Sequence, residues 1–124
     1  MRVLLDTQLL LWSLADANRL PTRARQIIDS AEVYVSAVSI WEVAIKASLG
    51  KLNVDPHQVL SALEPTGFLS LPISGEHCAC VMDLPPVHRD PFDRLLIAQA
   101  TTEPMRFVTA DASLGAYGDI VTVV

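Results

Sequence analysis

The sequence predicts an α/β fold, a single domain over residues 1–124 with a mainly parallel central sheet and helices on both faces. Three observations favour this class. A length of 124 residues fits one domain. Short apolar, β-branched runs, typical of strands buried on both faces, alternate with longer segments of helical periodicity. Turn-forming Pro and Gly residues separate these segments, without repeats or low-complexity runs.

The first half of the chain is predicted to contain two strands and four helices. Pro21 occupies the first helical position, where a proline is tolerated, and Gly50 is a typical helix terminator. Asp55 before Pro56 resembles a helix N-cap. In order, the predicted elements are the strand Val3–Leu5, the helices Thr7–Leu14 and Pro21–Ile28, the strand Glu32–Val35, and the helices Ser36–Leu49 and Pro56–Leu63.

The second half is predicted to contain three more extended segments. Pro85-Pro86 marks a loop, and Asp90-Pro91 repeats the signature of a capped helix start. The predicted elements are the extended segment Phe68–Ile73, the short helix Ser74–Met82, the helix Pro91–Thr102, the strand Arg106–Thr109, the helical turn Ala112–Tyr117 and the strand Ile120–Val123.

The overall composition limits the function classes. A net charge of −5 argues against binding nucleic acid by phosphate neutralisation alone, unless the acids surround divalent cations that supply positive charge. Two cysteines are too few for a structural zinc site. The apolar run Leu9–Trp12 is too short for an export signal or a membrane span, so we expect a cytoplasmic protein. The hydrophobic fraction of 51% indicates a dense core and favours an apolar surface for a partner.

Two acids follow predicted strands directly. Asp6 comes after the first strand, and Asp111 after the strand Arg106–Thr109. Parallel sheets place their active sites at the carboxyl ends of their strands, so both are candidate site residues. The alternative for each is a cap of the helix that follows.

Two more acids lie on apolar helix faces. Glu42 shares a face with Val38, Ile45 and Leu49, although an exposed pair with Lys46, four residues later, is the alternative. Asp93 shares its face with three apolar residues, and its alternative is a first-turn acid favoured by the helix dipole. The apolar residues beside Asp93 are Leu96, Ile97 and Ala100.

These four acids together predict a cation site. Carboxylates gathered at one place repel each other unless a cation lies between them. Hard divalent ions prefer oxygen ligands, which favours Mg²⁺ or Mn²⁺. Asp90 is a fifth candidate, either an additional ligand or the N-cap of the helix, with the cap favoured. His88 is the one histidine near these acids in sequence, which disfavours zinc.

The chain resembles PIN domains, in particular the VapC toxin ribonucleases of toxin–antitoxin pairs. The resemblance rests on LLDTQ (residues 4–8), SAVSIWEVAIK (36–46), HRDPFDRLLIAQA (88–100) and FVTAD (107–111), which occur in family order. It implies a Mg²⁺- or Mn²⁺-dependent endoribonuclease that acts on RNA, with Asp6, Glu42, Asp93 and Asp111 as the acidic site. The partners it implies are a cognate VapB-type antitoxin and a second copy of the chain in a homodimer.

The resemblance also suggests supporting residues. Thr7, Ser39 and Thr109 match polar positions beside the acids and are candidate hydrogen-bond donors to them. Arg89 and Arg94 lie in the same motif as Asp93 and are candidates for phosphate contact, with solvated helix-start charges as the alternative.

The apolar residues leave their role open. Trp12 and Trp41 could stack on RNA bases, although tryptophan at helical spacing among Leu and Val is more typical of a core. Leu9–Trp12, Trp41 and Ile45 would suit a partner helix, with core packing as the alternative.

Two other function classes are compatible with clustered acids. A receiver-like signalling domain also binds Mg²⁺ in this way, but it requires paired acids after the first strand and a lysine after a late strand. Here Asp6 is alone after the first strand, and no lysine follows Lys51. A non-catalytic module of the same fold would be indicated by the loss of Asp6 or Asp93, and both are present.

Overall fold

The computed structural model describes all residues from Met1 to Val124, and its centre is a five-stranded sheet. Every adjacent pair of strands is parallel, in the order β3-β2-β1-β4-β5. The strands are β1 (Arg2–Leu5), β2 (Glu32–Ser36), β3 (Leu69–Leu71), β4 (Arg106–Thr109) and β5 (Val121–Val123). The predicted α/β class with a parallel sheet is confirmed.

Six α-helices connect the strands. They are α1 (Thr7–Ala15), α2 (Thr22–Ser30), α3 (Ala37–Ser48), α4 (Pro56–Thr66), α5 (Gly75–Cys80) and α6 (Pro91–Thr102). Short 3₁₀ turns cover Ala17–Arg19, Val81–Asp83 and Ala112–Tyr117. No helix combines the length and apolar character that crossing a bilayer requires.

Several helix boundaries differ from the predicted ones because capping residues determine where the helices begin and end. Ser36 ends β2 and caps α3 through its side chain, so the helix starts at Ala37 rather than at Ser36. Helix α4 continues past Leu63 to Thr66, because Gly67 is the residue that adopts the left-handed conformation and ends it. The predicted helix Ser74–Met82 is divided into α5 and a 3₁₀ turn.

The core lies on both faces of the sheet. Alternate residues of a strand point to opposite faces, so Val3 and Leu5 pack on one side and Leu4 on the other. The first side is covered by α1, α2 and α4, and the second mainly by α6 with the start of α3. The helical core residues of the first side are Leu9, Leu10, Ala24, Val59 and Leu63, and those of the second are Val38, Leu96, Ile97 and Ala100. This confirms helices on both faces.

The strand order brings three segments to one edge. Strand β1 lies between β2 and β4, so the residues that follow these three strands meet at their carboxyl ends. The backbone N–H of Asp6 donates to the Val108 carbonyl at 3.0 Å, which keeps the first residue after β1 beside β4. Asp6, the first turn of α3 and the segment after Thr109 therefore share this edge.

Truncation of the central strand should test this account of the core. Leu4 is fully buried between β2 and β4 and packs beneath α6. We expect Leu4→Ala to lower the free energy of unfolding by about 3 kcal/mol, because it removes buried apolar contacts and leaves a cavity. Urea denaturation followed by circular dichroism measures this change. Met82→Ala, at a side chain that is 90% exposed, is the matched control, and an equal effect of both would contradict the account.

Candidate metal centre

A cleft of about 220 Å³ opens at the carboxyl edge of the sheet. All five acids singled out in the sequence line it, although they are distant along the chain. Its polar lining is Asp6, Thr7, Gln8, Glu42, Lys46, Asp90, Asp93 and Asp111, and its apolar lining is Leu11, Val43, Leu52 and Leu114. The fold thus gathers carboxylates from α1, α3, α6 and the turn after β4.

Asp6 lies at the bottom of the cleft and is only 6% exposed. It caps α1, because its Oδ1 accepts the Leu9 N–H at 2.7 Å, and its Oδ2 accepts the Thr109 hydroxyl. Burial raises the pKa of Asp6, while the hydrogen bond from Thr109 lowers it. Capping and cleft lining are therefore compatible roles for this residue.

Glu42 projects from α3 and is also buried, with 7% exposure. Its Oε1 accepts the Thr7 hydroxyl at 2.7 Å, and its Oε2 accepts the Lys46 ammonium at 2.6 Å. The Ser39 hydroxyl lies 3.0 Å from that of Thr7. The pair with Lys46 therefore exists, but it lies inside the cleft, and Glu42 raises the pKa of Lys46. Among the apolar residues expected beside Glu42, Val38 is buried and Leu49 is 62% exposed.

Asp90 and Asp93 come from the start of α6. Asp90 is the N-cap, since its Oδ1 accepts the N–H groups of Phe92 at 2.9 Å and Asp93 at 3.3 Å. The Asp93 carboxylate is half-buried and accepts no hydrogen bond. Burial, together with repulsion from Asp90 and Glu42, raises the pKa of Asp93 to about 7.

Asp111 lies at the exposed rim of the cleft. Its Oδ1 accepts the backbone N–H of Ser113 at 3.0 Å and the Ser113 hydroxyl at 2.7 Å. The hydroxyl hydrogen bond is the main reason that the pKa of Asp111 is lowered. Thr109 links this residue to the bottom of the cleft, because it donates to Asp6 and accepts the Asp111 N–H at 3.0 Å.

The donor set fits a hard divalent cation. Both oxygens of Asp93 and one oxygen each of Asp90 and Asp111 receive no hydrogen bond, while Asp6 and Glu42 have lone pairs beyond the bonds they accept. Lys46 is the single cationic side chain that lines the cleft, against five acids. An oxygen-rich site with this charge imbalance is one that Mg²⁺ or Mn²⁺ prefers.

The two candidate phosphate contacts lie elsewhere. Arg89 and Arg94 do not line the acidic cleft; both lie on a neighbouring depression beside Trp41 and Cys78. The Arg94 guanidinium donates to the carbonyls of Val81 at 3.1 Å and Pro85 at 3.0 Å. It also donates to the His88 carbonyl at 3.3 Å and to the Tyr117 hydroxyl at 3.0 Å. Arg94 therefore anchors the loop before α6.

The two tryptophans have different environments. Trp12 packs partly buried against the core beneath the Arg19 guanidinium, which lies 5.1 Å from its ring centroid. Trp41 is 52% exposed and forms an edge-to-face pair with Phe92, with the ring centroids 5.1 Å apart. Core packing, the alternative expected for a tryptophan at helical spacing among Leu and Val, is therefore found for Trp12 and not for Trp41.

His88 is the residue of this region that sequence reasoning underestimated. One ring nitrogen of His88 and one oxygen each of Asp93 and Asp111 lie within 4.8 Å of one another. Its closeness to Asp90 in sequence was the only available signal. The contact with Asp111 depends on how β4 and α6 pack, which residue spacing does not reveal.

Comparison with known proteins shows the family and the fold. The sequence matches the PIN domain family over residues 3–119. No curated protein matches it significantly. One similar solved structure is VapBC2 from Rickettsia felis, bound to a promoter DNA fragment. It has a TM-score of 0.70 and 13% identity, covering 100% of this chain and 98% of that one.

Two further solved structures have the same fold. FitAcB from Neisseria gonorrhoeae has a TM-score of 0.66 and 21% identity, covering 96% of this chain and 95% of that one. A toxin–antitoxin complex from Klebsiella pneumoniae has a TM-score of 0.68 and 17% identity, covering 98% of this chain and 96% of that one.

The raised pKa of Asp93 should make the stability of the metal-free protein depend on pH. Folding raises this pKa from its ordinary value of 3.8 to about 7, so the folded state binds more protons than the unfolded state between these values. The stability contributed by this group is therefore present below about pH 4 and lost as the pH rises through 7. In EDTA at pH 8, we expect Asp93→Asn to be more stable than wild type by on the order of 1–2 kcal/mol.

Urea denaturation at pH 4 and pH 8 measures this difference, which should vanish at pH 4. Asp29→Asn, at an exposed acid on α2, is the control and should change neither value. Addition of Mg²⁺ at pH 8 should stabilise the wild type more than the Asp93 variant, which lacks one charged ligand. A variant less stable than wild type at pH 8 in EDTA would contradict this explanation.

Proposed function

Because the chain belongs to the PIN domain family, we propose that it is a Mg²⁺- or Mn²⁺-dependent endoribonuclease of the VapC type, the toxin of a toxin–antitoxin pair. The observation that carries the proposal is the convergence of five carboxylates on one cleft, with Asp93 accepting no hydrogen bond. The resemblance of four sequence motifs to VapC toxins supports the same activity.

The cation is assigned to Asp6, Glu42, Asp93 and Asp111. Asp90 is an additional ligand through the oxygen that does not cap α6. When bound, a divalent cation supplies Lewis-acid polarisation of a phosphodiester and activation of water at neutral pH. This assignment requires no Ser, Cys or His nucleophile.

The surrounding side chains orient the ligands. Thr109 and the Leu9 N–H fix the two oxygens of Asp6, and Thr7 with Ser39 fixes one oxygen of Glu42. Such outer contacts set the direction of a ligand's lone pairs. Lys46 holds the other oxygen of Glu42 and provides a positive charge inside the cleft, suited to a phosphate oxygen of RNA.

A partner groove lies on the other side of α3. Eight of the ten residues that line this depression of about 640 Å³ are hydrophobic. The groove lining includes Ile40, Trp41, Ala44, Leu60, Leu63 and Leu71. We assign it to an apolar helix of the antitoxin, because half-exposed Trp41 and Leu60 would lose contact with water there. Leu9 and Leu10, which the sequence also offered for this role, are fully buried in the core.

RNA cleavage tests the proposed activity. We expect purified protein to cleave single-stranded RNA with Mn²⁺ or Mg²⁺ and to stop cleaving when EDTA is added. Asp93→Asn should lower kcat/KM at least about 100-fold, because it removes a charged ligand. Gel electrophoresis of labelled RNA measures both results.

Asp29→Asn, an exposed acid remote from the cleft lining, is the matched control and should cleave as wild type does. If wild type with Mn²⁺ leaves RNA intact, or if Asp93→Asn cleaves as fast as wild type, the nuclease assignment fails. Cation binding without cleavage would favour a non-catalytic member of the same fold.

The groove assignment has a separate test. We expect Trp41→Glu to weaken the complex with the antitoxin encoded beside this gene by at least about 2 kcal/mol, because a carboxylate would be buried in an apolar contact. Isothermal titration calorimetry measures the affinity. Leu49→Glu is the control, since Leu49 is 62% exposed and does not line the groove. Equal affinities of wild type and Trp41→Glu would assign the groove to another occupant.

A further inference from the structure

We propose that the metal centre has a mixed nitrogen and oxygen donor set, in which His88 is a ligand and shifts the preference from Mg²⁺ towards Mn²⁺. This inference rests on the metal-dependent function proposed above and specifies its cation. It adds a nitrogen donor to the carboxylates that the sequence motifs indicate.

The distances around His88 are those of two ligands of one ion. Its Nδ1 lies 3.9 Å from Asp93 Oδ2, which is too long for a hydrogen bond. Two ligands bound to one ion at about 2.1 Å lie roughly 3.0–4.2 Å apart, depending on the angle between them. The separation of His88 and Asp93 falls within this range. Asp111 lies close to this pair, since one ligand atom from each of the three residues lies within 4.8 Å of the other two.

The tautomer of the ring favours the same arrangement. The backbone N–H of Asp90 donates to His88 Nδ1 at 3.2 Å, so Nδ1 carries a lone pair and not a proton. This nitrogen is the one that faces Asp93. Nδ1 has one lone pair, so a cation bound there would displace the Asp90 N–H, whose hydrogen bond of 3.2 Å lies at the long end of the ordinary range.

The loop that carries His88 is fixed in place. Arg94 donates to the carbonyls of Val81, Pro85 and His88, and through Tyr117 it also contacts the segment after β4. The loop thereby stays close to Asp111, two residues after β4. Preorganisation of this kind is what a metal ligand on a loop requires.

The donor chemistry determines the preferred ion. Mg²⁺ selects oxygen ligands and retains its waters, whereas imidazole nitrogen strengthens binding of first-row transition ions. A site with five carboxylates and no nitrogen would bind both hard ions by charge alone. The His88 nitrogen therefore increases the ratio of Mn²⁺ affinity to Mg²⁺ affinity.

The test measures nitrogen coordination directly and does not rely on activity. The protein is labelled with ¹⁵N only at its three histidines, His57, His77 and His88, and loaded with Mn²⁺. Pulsed electron paramagnetic resonance should detect one directly coordinated ¹⁵N nucleus. His88→Gln should lose this signal, whereas His57→Gln, at an exposed residue of α4, should retain it.

Calorimetric titration supplies the second measurement. We expect His88→Gln to lower Mn²⁺ affinity roughly tenfold while Mg²⁺ affinity changes by less than about twofold. Mn²⁺ bound to wild type without nitrogen coupling, or an unchanged affinity ratio in His88→Gln, would overturn the inference. If the His88 inference is overturned but wild type still cleaves RNA, the proposed nuclease function stands. If wild type binds neither ion and cleaves no RNA, the nuclease function and the His88 inference both fail.

Discussion

Mutual repulsion among carboxylates at one edge of the sheet is the constraint on which the site depends. The strand order places β1 between β2 and β4, so Asp6, Glu42 and Asp111 converge by topology. The start of helix α6 then adds Asp90 and Asp93 to the same cleft. Five like charges in a small cleft destabilise the folded state unless protons, a lysine or a cation compensate them. The unusual pKa of Asp93 follows from this crowding and from its burial.

Hydrogen bonding reduces the cost of this arrangement. A carboxylate has two oxygens, so one can cap a helix while the other faces the cleft. In Asp90 and Asp111, one oxygen accepts the capping hydrogen bonds and the other accepts none. In Asp6, one oxygen caps α1 and the other accepts the Thr109 hydroxyl. Lys46 neutralises part of the remaining charge through Glu42. Asp6, Asp90 and Asp111 thus cap the helical segments that follow them and also line the candidate metal centre.

Local patterns were sufficient to predict the order and type of every strand and α-helix, because apolar periodicity and caps are local properties. They also selected Asp6 and Asp93, since an acid at a strand end or on an apolar helix face can be recognised from the sequence alone. The contacts of Arg94 with a loop and Tyr117, and the approach of His88 to Asp111, depend on packing between remote segments. No pattern of spacing encodes them, and a basic residue within a motif is as compatible with anchoring as with phosphate binding.

The acidic cleft also affects the kinetics of encounter with a polyanion. The chain has a net charge of −5, and its cleft contains one lysine against five acids, so at long range it repels RNA, and a bound divalent cation reduces this repulsion. Dissolved salt screens this repulsion. Proteins that attract nucleic acid through a basic surface associate more slowly as ionic strength rises. For the proposed RNA substrate, the association rate should instead be insensitive to monovalent salt or increase with it, which would set this protein apart from charge-steered binders.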